Sequence, residues 1–80
     1  MREKNTLTDA ITDYASFRKL SPRQSRIIFE HIRGRHDKQI ALSLGCTAST
    51  VYEHWRRMAQ KCGLNVKSEV VADFHTFIYS

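Results

Sequence analysis

The sequence predicts an all-α fold, a small bundle of helices, and three observations carry that expectation. Apolar residues recur at three- and four-residue spacing in each of five segments. One proline and three glycines in 80 residues leave little material for the turns of a β fold. Ser, Thr, Asp or Gly stand at the segment ends, where helices start and stop. No stretch alternates as a strand should, and there is no internal repeat or low-complexity run.

The first periodic segment covers residues 6–18, with Leu7, Ile11, Tyr14, Ala15 and Arg18 on one face. Thr6 or Thr8 can cap it, and Asp9 suits the positive end of its dipole. The second starts more sharply. Ser21, Pro22 and Gln24 form a capping box with proline at the first helical position. Ile27, Ile28, His31 and Ile32 follow on a shared face, and Gly34 ends the helix. Asp37 is expected to cap a third helix through Leu44, with Ile40, Ala41 and Leu44 inward. Gly45 breaks it. Thr47 caps a longer helix to Lys61, whose inner face holds Val51, Trp55, Met58 and Cys62, and Gly63 closes it. Ser68 and Glu69 open the last helix, with Val70, Val71, Phe74, Phe77 and Ile78 as its apolar positions.

The third and fourth segments carry most of the functional signal. Ala41, Gly45 and Val51 stand at offsets of four and six residues. Two helices that cross closely need a small residue in the first, where the second passes above it. They need glycine in the turn, where the backbone becomes left-handed at little steric cost. An apolar residue such as Val51 then pins the second helix to the first. This is the pattern of a helix-turn-helix.

At these residues the chain resembles the LuxR/FixJ/GerE-type helix-turn-helix domains of bacterial transcription regulators. The resemblance rests on Leu20-Ser21-Pro22-Arg23-Gln24, Gly34, Lys38-Gln39-Ile40-Ala41, Leu44 and Thr50-Val51-Tyr52-Glu53-His54. Met58, Lys61, Gly63 and Glu69 continue it without a gap. It covers residues 20–72, about two-thirds of the chain. It implies a four-helix domain over 20–80, preceded by a short helical extension over 1–19. By this resemblance the Thr47-capped helix reads the major groove of double-stranded DNA, and the last helix makes a homodimer contact. Base contacts then fall on Tyr52, Glu53 and Arg56, and phosphate contacts on Lys38, Ser49, Thr50 and Arg57. The dimer contact falls on Val70, Val71, Phe74 and Phe77, a face that reads equally well as intramolecular core. RNA polymerase becomes a possible partner, through recruitment or blockade. Gln24, Phe29, Glu30, His31, Cys46 and Cys62 depart from the family's usual residue types, but none lies on the reading face of the recognition helix.

Residue chemistry agrees with part of this assignment. Arginine donates two parallel bonds to guanine O6 and N7, and glutamate accepts from cytosine N4. Lysine and arginine give the sequence-independent grip on phosphates. The tyrosine ring at position 52 either touches a thymine methyl or covers the helix. Trp55 reads as core, and His54 as packed or phosphate-facing.

The balance of 13 Lys and Arg against 8 Asp and Glu gives a net charge of +5, which draws the chain to polyanions. Residues 20–80 carry +4 of it. No apolar run approaches the ~18 residues of a membrane span, and no signal-peptide pattern appears. Cys46 and Cys62 lack metal-ligand spacing, so free thiols in a reducing cytoplasm are expected. No catalytic spacing or phosphate-binding glycine loop argues for an enzyme, and no cofactor is called for. The competing readings are a helix-turn-helix module that binds protein, and a sigma-factor region 4-like domain. The chain is either a stand-alone regulator or the output piece of a larger one.

Overall fold

The computed structural model describes residues 6–79, all of whose regular structure is helical. Residues 1–5 of the expected extension and Ser80 of the expected domain lie outside the described residues. Five helices follow one another: α1 (Leu7–Arg18), α2 (Pro22–Ile32), α3 (Asp37–Leu44), α4 (Ala48–Cys62) and α5 (Lys67–Tyr79). The four helices of the expected domain and the additional N-terminal helix are thus all present.

Local chemistry sets most boundaries. Thr6, rather than Thr8, caps α1 by accepting from the Asp9 N–H at 3.0 Å. Ser21 Oγ accepts from Gln24 N, while Gln24 Oε1 accepts from Ser21 N, so the capping box is closed in both directions. Thr47 caps α4 through the Thr50 N–H. Two starts differ by one residue from expectation. His36 occupies the cap of α3, and Asp37 is already helical. The Asp37 carboxylate instead accepts from Trp55 Nε1 at 3.1 Å and pairs with Lys67 at 3.2 Å. Helix α5 begins at Lys67, not Ser68, because Glu69 Oε1 reaches back to the N–H groups of Asn65 and Val66.

One core gathers all five helices. Tyr14, Ile27, Ile40, Val51, Met58, Val70 and Phe74 are fully enclosed. Helix α1 is part of this body: Ile11 and Tyr14 belong to the same cluster as the residues of α2 to α5. The Tyr14 ring packs edge-on against Phe74 and Phe77. Each large apolar side chain enclosed this way contributes about 1.5–3 kcal/mol.

Polar ties close the bundle at its ends. Asp73 of α5 accepts from the Tyr14 hydroxyl at 2.6 Å and takes Arg18 in a two-bond fork at 2.9 and 2.8 Å. Arg18 was expected on the apolar face of α1; that face meets an acid rather than more apolar surface. Gln24 is nearly buried and also accepts from Lys61 of α4 at 2.9 Å. Glu30 is 3% exposed and is paired with Arg26 and Arg35. The hydrogen bond from Arg26, joined by the charges of Arg35 and Arg33, holds the Glu30 carboxyl below its ordinary range despite burial.

These ties make the fold acid-sensitive in a definite direction. The Arg18 fork, with help from Tyr14, holds the Asp73 carboxyl below its ordinary value. A depressed folded value contributes stability above the unfolded pKa, and that stability is lost as pH falls through the folded one. Urea unfolding should therefore show stability declining below about pH 4. Asp73→Ala should cost about 1–3 kcal/mol at neutral pH, because it leaves the enclosed Tyr14 hydroxyl with only the weak sulfur contact of Cys62 at 3.4 Å. It should also make the acid decline shallower. An equal decline in both proteins would exclude Asp73 as its source.

Candidate nucleic-acid interface

Helices α3 and α4 form the helix-turn-helix expected from the sequence. Gly45 ends α3 in the left-handed region at φ 70°, ψ 36°, and the Cys46 N–H returns to the Ala41 carbonyl at 2.9 Å. Ala41 is 4% exposed and Val51 and Ile40 are fully enclosed, so the crossing is packed where small and apolar residues were expected. Val51, Trp55, Met58 and Ala59 fill the inner side of α4. The rotation of α4 about its own axis is thereby fixed.

That rotation turns a continuous polar stripe outward: Ser49, Thr50, Tyr52, Arg56, Arg57 and Gln60 are exposed and Glu53 is half-exposed. Tyr52 is 72% exposed. Glu53 accepts from Arg56 Nε and Nη2 and from Arg57 Nε, so the three charged groups form one cluster. The Arg56 contact, first, lowers the Glu53 pKa. The Thr50 hydroxyl lies 3.1 Å from that of Thr47, within the cap itself. Lys38 is exposed on α3, away from this cluster in sequence but on the neighbouring helix of the motif.

Residues 18–74 match the family described as bacterial regulatory proteins, luxR family (GerE). The chain belongs to the luxR family. Its members are DNA-binding transcription regulators. Comparison with curated proteins and with solved structures gives no match.

The match begins at the last residue of α1 and takes in α2, α3 and α4 together with the first half of α5. Within this luxR-type unit, side chains that the sequence left without a role brace the helix-turn-helix. Arg23 Nη1 donates to the Leu44 carbonyl at 3.3 Å, and Arg26 Nη2 to Ser43 Oγ at 3.4 Å. Both arginines reach from α2 to the end of α3. Lys67 sits 5.1 Å above the Trp55 ring while it pairs with Asp37. Nothing short-range marks these contacts, because their partners lie 12 to 30 residues away. Burial, with the charge of Arg57 close by, lowers the His54 pKa, which favours a neutral, packed imidazole.

The expected dimer residues divide. Val70 and Phe74 are 0% and 1% exposed, enclosed by the chain's own core, and so cannot face a second copy. Val71 and Phe77 are half-buried beside that core. Cys46 and Cys62 are half-buried free thiols. Among the described residues, no group of three or more His, Cys, Asp or Glu could hold a metal, and no helix is long and apolar enough to cross a membrane.

The turn gives a direct test of the motif's backbone. A Cβ added at Gly45 meets nothing within 4 Å, so substitution is penalised by the left-handed conformation alone. Gly45→Ala should cost about 1–2 kcal/mol. Gly45→Asn should cost less, since asparagine enters this region more readily. Thermal denaturation of the three proteins checks the order. An alanine variant as stable as the parent would mean that the turn is not held left-handed in solution.

Proposed function

We propose that the chain binds double-stranded DNA sequence-specifically as a bacterial transcription regulator, with α4 in the major groove. One observation supports this most: the only side of α4 left outside the core is a stripe of donors, acceptors and cations. The major groove is about 12 Å wide and admits a helix, and its base edges carry the pattern such side chains read. Tyr52, Glu53 and Arg56 are assigned to base edges, with Arg56 on guanine and Glu53 on cytosine. Lys38, Ser49, Thr50 and Arg57 are assigned to phosphates. The protein acts in the cytoplasm by occupying a promoter, where it recruits or blocks RNA polymerase. It needs no cofactor for this.

A homodimer on DNA is part of the same proposal, through the outer side of α5. With Val70 and Phe74 enclosed and Phe77 packed against Tyr14 and Phe17 of α1, the contact is assigned to Val71 and the exposed Tyr79, and to Phe77 only where α1 leaves it uncovered. Two-fold copies should prefer inverted half-sites spaced by about one helical turn, ~10 bp. Sedimentation with a selected site checks the stoichiometry. A one-to-one complex on an asymmetric site removes the dimer and leaves DNA binding intact.

Binding should weaken steeply with salt, because each neutralised phosphate releases condensed counterions. Two variants separate reading from holding. Arg56→Ala should cost about 1–3 kcal/mol on the preferred site and relax selectivity at one base position. Lys38→Ala should weaken all sequences alike and lower the salt slope by about one unit. Titration of a single-base operator panel checks both. No binding at low salt would instead favour a module that binds protein. A uniform loss in Arg56→Ala would make Arg56 a phosphate contact.

A further inference from the structure

Glu53 is the one acidic residue in α4, and it stands at the middle of the outward stripe. A carboxylate there would meet the strong negative field of two phosphate backbones. Both of its oxygens are engaged by arginines one turn further along: Oε1 accepts from Arg56 Nε at 3.2 Å, and Oε2 from Arg56 Nη2 and from Arg57 Nε at 3.3 Å. Glutamate on the N-terminal side of its cations is the favourable order for such pairs. The arginines themselves are 60% and 61% exposed, so no other part of the protein holds them in place.

The geometry of the fork matters. Glu53 takes the Nε–Nη2 side of the Arg56 guanidinium and leaves the Nη1 end unpaired. A guanidinium has five donors in a rigid fan, so that end can still meet guanine O6 and N7 while the side remains paired. A phosphate that meets the same free donors brings a second anion beside the Glu53 carboxylate, which an uncharged guanine edge does not.

Resting on the DNA-binding reading above, we propose that Glu53 is a specificity-determining residue: it keeps Arg56 off phosphates, weakens the phosphate contact of Arg57, and presents the free end of Arg56 to a base edge. Non-specific duplex then lacks the full grip of both arginines. A site with guanine opposite Arg56 is read by the Glu53–Arg56 pair as a unit.

The test measures affinity of Glu53→Ala for its selected operator and for a scrambled duplex of the same length, over a range of salt. The scrambled duplex should be bound on the order of tenfold more tightly than by the parent at low salt, with a slope steeper by about one unit. The operator should gain less, so the ratio between the two falls. The same substitution in an Arg56→Ala, Arg57→Ala background should change the ratio little, because the arginines through which Glu53 acts are gone. An equal gain on both duplexes, or a gain that persists without the arginines, would overturn the proposal and reduce Glu53 to a charge that repels DNA. A parent that binds no duplex at low salt would overturn the DNA reading itself; a selective parent with an unchanged ratio in the variant overturns only the role of Glu53.

Discussion

The hydrogen bond from Trp55 to Asp37 is the constraint on which the working surface of this chain depends. It joins the first residue of α3 to the middle of α4, and Lys67 closes the set from α5 by pairing with the same carboxylate and lying over the same indole. A helix anchored by apolar contacts alone can slide or roll a little within its groove. One directional bond at its centre removes that freedom, and the His31 ring packed edge-on at 5.4 Å completes the enclosure of Trp55. Burial, followed by the nearby charge of Lys67, lowers the His31 pKa, so this packing is that of a neutral ring. The side of α4 that faces outward is thus decided by a contact on the side that faces inward.

The same logic explains why α1 belongs to the body rather than trailing from it. The apolar face of α5 is wider than α4 can cover, and Tyr14 supplies the missing ring against Phe74 and Phe77. Burying a tyrosine also buries a hydroxyl, which is costly without a partner. Asp73 accepts from it, and Arg18 neutralises Asp73. Burial first, and then the bond to Asp73, push the Tyr14 hydroxyl far above its ordinary pKa, so it remains a donor throughout. A contact between copies through α5 is consequently confined to what α1 leaves uncovered.

How legible each of these features was depends on the sequence distance between its partners. The capping box at Ser21 and Gln24, the Thr47 cap and the Gly45 turn involve residues within five positions, so residue type and spacing suffice. Asp37 reads as a cap by the same rule, yet Trp55 lies 18 residues on and holds its carboxylate. Arg18 falls on an apolar face by periodicity, but its partner is 55 residues away. The face of α5 was legible as apolar and not as inward or outward, since periodicity says which residues share a side and not what covers it. The identity of the outward stripe on α4 followed from its inner face, and that is why Tyr52, Glu53 and Arg56 were legible as neighbours. Their mutual pairing was not separable from ordinary solvated charge.

Net charge alone overstates what the chain offers to a polyanion. Arg18 is held by Asp73, Arg26 and Arg35 by Glu30, Lys67 by Asp37, and Lys61 by Gln24 and the Lys19 carbonyl. Several of these pairs are partly shielded, so moving the cation to a phosphate would loosen a contact between helices. Arg23 similarly braces the end of α3. Among the described residues, most of the positive charge is therefore divided between a structural set that binds helices together and a smaller set on α3 and α4, with Lys19 and Arg33 in neither. Within the smaller set Lys38 has no ion pair among the described residues, whereas Arg56 and Arg57 share one acid between them. On the proposed function, a surface arranged this way attracts DNA without gripping it indiscriminately, and the proposed restraint rests on the one carboxylate of α4.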